Sequence, residues 1–335
     1  MTSPGEAGAG VRLAGPGHSV AALARSPAGA GAPVVACGVC QTAGFGDMRG
    51  ALAFLDAETL QPRGPALQLR SGVGAVAWAD DGGRVLVFGT DEGSVCAASF
   101  GAGPAPHDAP RVEQSKALHA APVSALAVSL DAGSVASCAS DGSIQIFTAM
   151  GELVPALRYT ASRSPMRSLA FSPLHRSLLL SCGDLGTVTL WDTRIAKAAG
   201  IHQANGSPVH ALAWADPATG LVACGDELGV VSTFDLRRSV RANRRVHDDV
   251  VRCAVRVGAG AKSALLTAGD DGALAVHAVS SGGAGGGAGA PALLRATCRG
   301  VAPRGVRCCA VAPLGQASVA VGCSDGVLRT AAVAT

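Results

Sequence analysis

The chain has 335 residues, 48% of them hydrophobic but only 3% aromatic, and a formal charge of +3. That charge is too small to imply nucleic-acid binding by itself, no apolar run reaches the roughly 18 residues of a membrane span, and the N-terminal MTSPGEAGAGVRLAG lacks the basic start and apolar stretch of a secretory leader. Eleven cysteines without such a leader lead us to expect reduced thiols and a chain at work in cytoplasm and nucleus.

Lys116, Lys197 and Lys262 are the only lysines, so nearly all positive charge is arginine. With the abundant Ala, Gly and Pro, this reads as a genomic bias rather than a functional one. In chain order, Val11-Arg12-Leu13 is the first extended segment, and a recurring motif starts just after it. Its copies are HSVAALARSP from His18, SGVGAVAWAD from Ser71, APVSALAVSL from Ala121, SPMRSLAFSP from Ser164, SPVHALAWAD from Ser207, DDVVRCAVRV from Asp248 and RGVRCCAVAP from Arg304. Aligned on Val20, Val73, Val123, Met166, Val209, Val250 and Val306, they are 53, 50, 43, 43, 41 and 56 residues apart. A period of about 40–45 residues is that of a propeller blade.

Six copies continue into a second apolar strand, an Asp/Gly turn (such as CASDGS, CGDLGT and AGDDGA) and a third strand. The first copy instead has CGVCQTAGFGDMRG before ALAFLD. Fourth strands are expected at 66–70, 114–119, 156–160, 243–247 and 292–297. Residues 101–112 and the Gly/Ala tract 280–290 read as flexible surface loops. A lone four-stranded sheet leaves its faces unburied, whereas seven packed around an axis cover one another. We therefore expect one all-β, seven-bladed propeller, with repeats near 18–60, 71–100, 121–151, 164–194, 207–237, 248–279 and 304–333. Its ring is closed when Val11-Arg12-Leu13 pairs with the last blade, which removes an exposed edge.

The third strand of the fourth copy ends in Trp191-Asp192, with weaker endings at Phe147-Thr148, Phe234-Asp235 and His277-Ala278. A Gly-His-like opening occurs at Gly17-His18, Leu118-His119 and Val246-His247. With these, the chain resembles the WD-repeat family. The resemblance implies structural roles for His18, His119, His247, Trp191 and Asp192. It implies the same for the turn aspartates Asp141, Asp184, Asp226, Asp271 and Asp325, with Asp91, taken as equivalent positions on separate blades.

Other motifs carry no chemistry on their surroundings. Cys37 and Cys40 form a lone CxxC in an all-β repeat, without the second pair a zinc site needs. GAGAKS at 258–263 has Ala261 where a phosphate loop needs glycine, and a strand follows it. The histidines lack paired metal spacing. No catalytic residue, metal or cofactor is expected, no small-molecule substrate, no membrane, and no nucleic acid as the main partner. Two features suit protein partners. Arg237, Arg238, Arg241, Arg244 and Arg245 form a basic strip, which is either an acidic-ligand site or a solvated outer strand. Phe45, with Met48 and Arg49, lies in the first-copy insertion. An aromatic there is either tucked against a neighbour or is a partner anchor.

Three stretches carry a finer resemblance: LLLSCGDLGTVTLWDTRIAKAAG, SPVHALAWADPATGLVACGDELGVVSTFD and RRVHDDVV. They are similar to repeats of the methylosome WD-repeat subunits, non-catalytic partners of the type II protein arginine methyltransferase. This implies an adaptor that presents substrates such as histones or spliceosomal proteins, with a first-blade aromatic hairpin, here Phe45, entering the enzyme. As the alternative, DGSIQIFTAMG, TVTLWDTR and VAVGCSDGVLRTAAV resemble, nearly as well, the WD-repeat nucleoporins of the nuclear pore Y-shaped complex.

Overall fold

A computed structural model describes residues 10–14, 17–27, 33–41, 50–100, 110–129, 131, 133–148, 154–160, 163–195, 197–204, 206–216, 218–236, 241–258, 263–279, 293–303, 305–314 and 318–333. These hold seven four-stranded antiparallel sheets. β1 (Val11–Arg12) precedes the first blade, which is β2 (His18–Arg25), β3 (Val34–Gln41), β4 (Gly50–Asp56) and β5 (Leu67–Leu69). Blade 2 is β6 (Val73–Trp78), β7 (Val85–Thr90), β8 (Ser94–Ser99) and β9 (Arg111–Ala117). Blade 3 is β10 (Val123–Val128), β11 (Ser134–Ala139), β12 (Ser143–Thr148) and β13 (Val154–Thr160). Blade 4 is β14 (Met166–Phe171), β15 (Leu178–Gly183), β16 (Thr187–Asp192) and β17 (Lys197–Gln203). Blade 5 is β18 (Val209–Asp216), β19 (Leu221–Asp226), β20 (Val230–Asp235) and β21 (Arg241–Arg245). Blade 6 is β22 (Val251–Val257), β23 (Ala264–Gly269), β24 (Ala273–Val279) and β25 (Leu293–Gly300). Blade 7 is β26 (Cys308–Pro313), β27 (Ser318–Cys323) and β28 (Val327–Ala332), completed by β1.

Each first strand packs against the first strands of both neighbouring blades, so seven of them ring the axis. The second strands are apolar runs, not alternating ones, because adjacent blades bury both their faces; β19 and β23 are buried at every position. The exposed outer strand β17 alternates. Closure is as the N-terminal segment implies: Val11 lies opposite Leu328, Arg12 opposite Val327, and the Leu13 amide donates to the Gly326 carbonyl at 3.0 Å. Trp78, which ends β6, and Trp214, near the end of β18, staple blade to blade. Their indole N–H groups donate to the carbonyls of Ala24 and Ala170, each at 3.2 Å.

The register corrects the repeat alignment in two copies. The paired residue just ahead of the first-strand bulge is Val20, Val73, Val123, Met166, Val209, Val251 or Cys308 in blades 1 to 7. The sixth copy therefore starts at Val251 rather than Val250, and the seventh at Cys308 rather than Val306. The outer strand β17, absent from the expected set, is KAAGIHQ. The tract 280–290 and most of the 101–112 insertion lie outside the described residues.

Candidate interaction face

In an antiparallel blade, the turn between second and third strands lies at the same end as the start of the first strand. In six blades that turn is three residues long and closes on Gly93, Gly142, Gly186, Gly229, Gly272 or Gly326, with φ between 70° and 82°. Only glycine adopts that conformation without strain.

The first turn position holds Asp91, Ser140, Asp184, Glu227, Asp270 and Ser324 in blades 2 to 7. The second holds Glu92, Asp141, Leu185, Leu228, Asp271 and Asp325. The turn aspartates are thus not one equivalent set, since acidic residues occupy two adjacent positions with different partners. Asp226 belongs to neither: it ends β19, is buried, and accepts from the amides of Leu228 at 2.9 Å and Val230 at 2.8 Å.

The second position builds the inner network. In blade 3 the buried His119 is gripped at both ring nitrogens, Nε2 by the Ser137 hydroxyl at 2.7 Å and Nδ1 by Ser143 at 2.6 Å. Ser143 gives its own proton to Asp141 at 2.6 Å, so the chain of donors runs from Ser137 through His119 and Ser143 to Asp141. Asp141 also accepts the Ala120 amide at 2.8 Å. Burial pushes the His119 pKa down, and the nearby Arg158 adds to this, outweighing the pull of Asp141. Burial raises the Asp141 pKa, but the Ser143 hydroxyl and the Ala120 and Ser143 amides lower it more.

Blade 6 repeats the device with a substitution. His247 Nδ1 lies 3.0 Å from Asp271, and Nε2 lies 2.9 Å from the Thr267 hydroxyl. That hydroxyl also meets His277 Nε2 at 2.8 Å, where blade 4 has Trp191. Thr267 has one proton; donating it to His247 makes it the acceptor of His277 Nε2–H. His277 Nδ1 is then a buried lone pair without a partner, matching the structure. Burial first, then His247 and Arg244, lower the His277 pKa to about 4.

Blade 4 keeps only part of the network. Trp191 donates to the Ser181 hydroxyl at 2.8 Å, and its ring lies 5.0 Å from that of Tyr159. Asp184 sits at the first turn position and is bound by Arg167 through two parallel bonds of 2.7 and 2.8 Å. Asp270 is held likewise by Arg252 at 2.9 and 2.7 Å. Asp325 is gripped by Arg329 at 2.9 and 2.6 Å, from within its own third strand. Asp192 lies at the far end of β16, where Arg194 binds it at 2.6 Å and lowers its pKa to about 2, chiefly by that side-chain bond. His18 takes another place than His119 and His247. It is the first residue of β2, opposite Gln41, and its Nδ1 is buried without a partner.

Arg167 and Arg252 are bulge residues of their first strands. The full set around the axis is Ala21, Gly74, Ser124, Arg167, His210, Arg252 and Cys309. Four of these are small, and the three of blades 4 to 6, Arg167, His210 and Arg252, are large and polar. His210 feels Arg252, Arg167, Asp184 and Asp270 together; burial lowers its pKa first and the two arginines add. Leu185 and Leu228, at the second turn position of blades 4 and 5, are 57% and 53% exposed. Blades 4 and 5 thus carry solvent-facing leucines where blades 3, 6 and 7 carry aspartate. Isolated exposed leucines are ordinary, and these two share one repeat position on neighbouring blades.

The other sequence candidates fall away from this face or outside the described residues. Phe45, Met48 and Arg49 lie outside them, as do Arg237 and Arg238. Arg241 opens β21 at the outer edge of blade 5, and Arg244 and Arg245 are exposed there. Arg245 donates to the carbonyls of His247 and Asp248, each at 3.4 Å. Cys37 and Cys40, three apart on one strand, point to opposite faces of β3, so they form no pair. Burial raises the pKa of both thiols. Among the described residues no group of His, Cys, Asp and Glu has a metal-binding arrangement. No described helix is long and apolar enough to cross a membrane.

The family described as "WD domain, G-beta repeat" matches residues 113–148 and 154–192. Those spans run from β9 to β12 and from β13 to β16, so each sequence repeat begins on the outer strand of the preceding blade. A curated relative, protein transport protein SEC31 of Chaetomium globosum, is 30% identical over 110 residues. The match covers 31% of this chain and 9% of that protein, so the chain spans less than a tenth of the relative's length.

Proposed function

We propose that this seven-bladed WD-repeat propeller is a non-catalytic protein-interaction scaffold whose docking face is the end of the ring that carries the Asp/Gly turns. The observation that carries this reading is that Leu185 and Leu228 are solvent-facing at the second turn position of neighbouring blades, at the end of the ring where Arg167 binds Asp184 and Arg252 binds Asp270. The finer reading is an adaptor that presents substrates to a protein arginine methyltransferase, in cytoplasm and nucleus. Its support is the order of motifs through LSCGDLGTVTLWDTR, ALAW and the VH pair. Residues 42–49 join β3 to β4, the connection that in the other blades is the turn. Phe45 on that segment is the proposed anchor.

The test is co-purification of the chain with the arginine methyltransferase, beside Phe45→Ala. Truncating a hot-spot aromatic costs about 2 kcal/mol or more, roughly thirtyfold in affinity. The reading expects that loss with an unchanged melting temperature. Recovery of nuclear pore scaffold proteins in place of the enzyme would move the chain to the nucleoporin class. The match to a protein transport protein favours a second reading, a scaffold subunit in protein transport. It predicts recovery of protein-transport chains instead.

A further inference from the structure

Among the described ladders, blade 7 holds the one place where two cysteines lie opposite each other. Cys308 opens β26, Cys323 ends β27, and the register pairs them. Opposed residues of an antiparallel ladder have Cα atoms about 4.5–5.5 Å apart and side chains on one face, within the roughly 4.4–6.8 Å that a disulfide spans. The same place holds Val73 and Thr90, Val123 and Ala139, Met166 and Gly183, Val209 and Asp226, and Val251 and Gly269 in blades 2 to 6. Both cysteines of blade 7 are buried and free, and their thiols are joined by a hydrogen bond. Arg329 lies opposite Val321, two residues from Cys323 and so on the same face. Its guanidinium grips Asp325 and also hydrogen-bonds the Cys323 sulfur. Hydrogen bonding from Cys308, then from Arg329, lowers the Cys323 pKa against the opposing effect of burial, while the shared bond and burial raise that of Cys308. A sulfur that carries negative charge readily thus stands beside a thiol that keeps its proton.

We propose that Cys308 and Cys323 are a modification site, a dithiol that a hydroperoxide oxidises to a disulfide joining β26 to β27. The Cys323 thiolate attacks one peroxide oxygen, the O–O bond breaks, hydroxide leaves and Cys323 becomes a sulfenic acid. The Cys308 sulfur then displaces that hydroxyl, which takes the Cys308 proton and leaves as water while the S–S bond forms. The two sulfurs lose two electrons, and the peroxide oxygens gain them. Burial limits the reagent to one as small as hydrogen peroxide. Its way in is the end of the ladder, where β26 begins and β27 ends, because strand ends open locally most readily. Cys309 takes no part: burial first, then Cys323, raise its pKa to about 11, so it stays a thiol. The site is independent of the scaffold reading above.

The reduced full-length chain is treated with hydrogen peroxide, its remaining thiols are alkylated, and its tryptic peptides are weighed without reduction. Trypsin cuts after Arg307 and Arg329 and releases one peptide that carries Cys308, Cys309 and Cys323. The proposal expects this peptide to lose about 2 Da, the two hydrogens of one disulfide, and to carry a single alkyl group, on Cys309. Dithiothreitol restores the mass. Cys309→Ser keeps the loss, whereas Cys308→Ser and Cys323→Ser each abolish it. In the wild-type chain, oxidation at Cys308 and Cys323 should run about tenfold or more ahead of that at Cys182 and Cys224, buried thiols opposed by Val188 and Leu212 rather than by cysteine. An unchanged peptide mass, a loss that requires Cys309, a rate no greater than at Cys182 and Cys224, or a bond that forms only in denaturant overturns the site. The wild-type measurement needs no partner protein and no variant, so it stands apart from the co-purification test of the scaffold.

Discussion

Trp191 donates its indole proton to the hydroxyl of Ser181 at 2.8 Å, joining the third strand of blade 4 to the second inside the sheet. The side chain is 8% exposed and packs against Tyr159. Trp191→Ala should cost about 3–5 kcal/mol, the range for emptying a large buried aromatic site. Trp191→Phe keeps most of the packing and loses the bond, so about 1–2 kcal/mol is expected. Urea melts of the three proteins check the order. A Trp191→Ala variant as stable as wild type would make this residue a surface contact.

Ring closure makes the N-terminal strand a structural element. Val11 and Leu13 pack on the cluster holding Val20, Leu55 and Leu328. Removing residues 1–15 should cost about 2–3 kcal/mol through lost apolar burial and a bare edge on β28. Thermal melting measures it, and an unchanged midpoint would mean that the last blade stands without β1.

The two arginine–aspartate pairs at the channel mouth should differ in worth. Asp270 is 6% exposed and Asp184 is 25% exposed, with similar exposure of their arginines. Arg252→Ala leaves a mostly buried carboxylate uncompensated and should cost about 1–3 kcal/mol. Arg167→Ala should cost about 1 kcal/mol or less, because water screens Asp184. Equal losses in denaturant melts would contradict this reading.

Stability should fall on mild acidification. In the unfolded chain a histidine titrates near pH 6.5, whereas folded His277 titrates at about 4. Between those values the unfolded state binds a proton that the folded state refuses. The contribution is full above about pH 7 and drains as pH falls from 6.5 to 4, by about 3 kcal/mol at the lower end. His119 and His210, also lowered by burial, act in the same direction. His277→Phe should flatten the melting-temperature profile over that window, and a variant with the wild-type slope would assign the acid sensitivity elsewhere.

The inner strands and turns were legible in the sequence because alternation and a glycine at positive φ leave strong marks, as in CASDGS and its kin. β17 left none: KAAGIHQ is an edge strand, with small residues and little burial to impose a pattern. The two acidic turn positions looked like one because spacing alone does not separate Asp184 from Asp141. Only their partners do, Arg167 for one and the Ser143–His119 chain for the other. His18 was misleading for a similar reason, since a Gly-His pair at a strand start mimics one four residues ahead of it. The leucines of the docking face were missed, although aligning the turns on their glycines places Leu185 and Leu228 in the column of Asp141, Asp271 and Asp325.

The central claim is that the turn end of the ring docks a protein partner. Quantitative affinity purification of the tagged chain, wild type beside Leu185→Asp/Leu228→Asp, tests it, once matched melting temperatures show that both are folded. The account predicts stoichiometric recovery of the arginine methyltransferase with wild type and at least a tenfold loss with the double variant, since a charge replaces an apolar anchor at each site. Equal recovery from both proteins, or wild type that retains no partner, would contradict it.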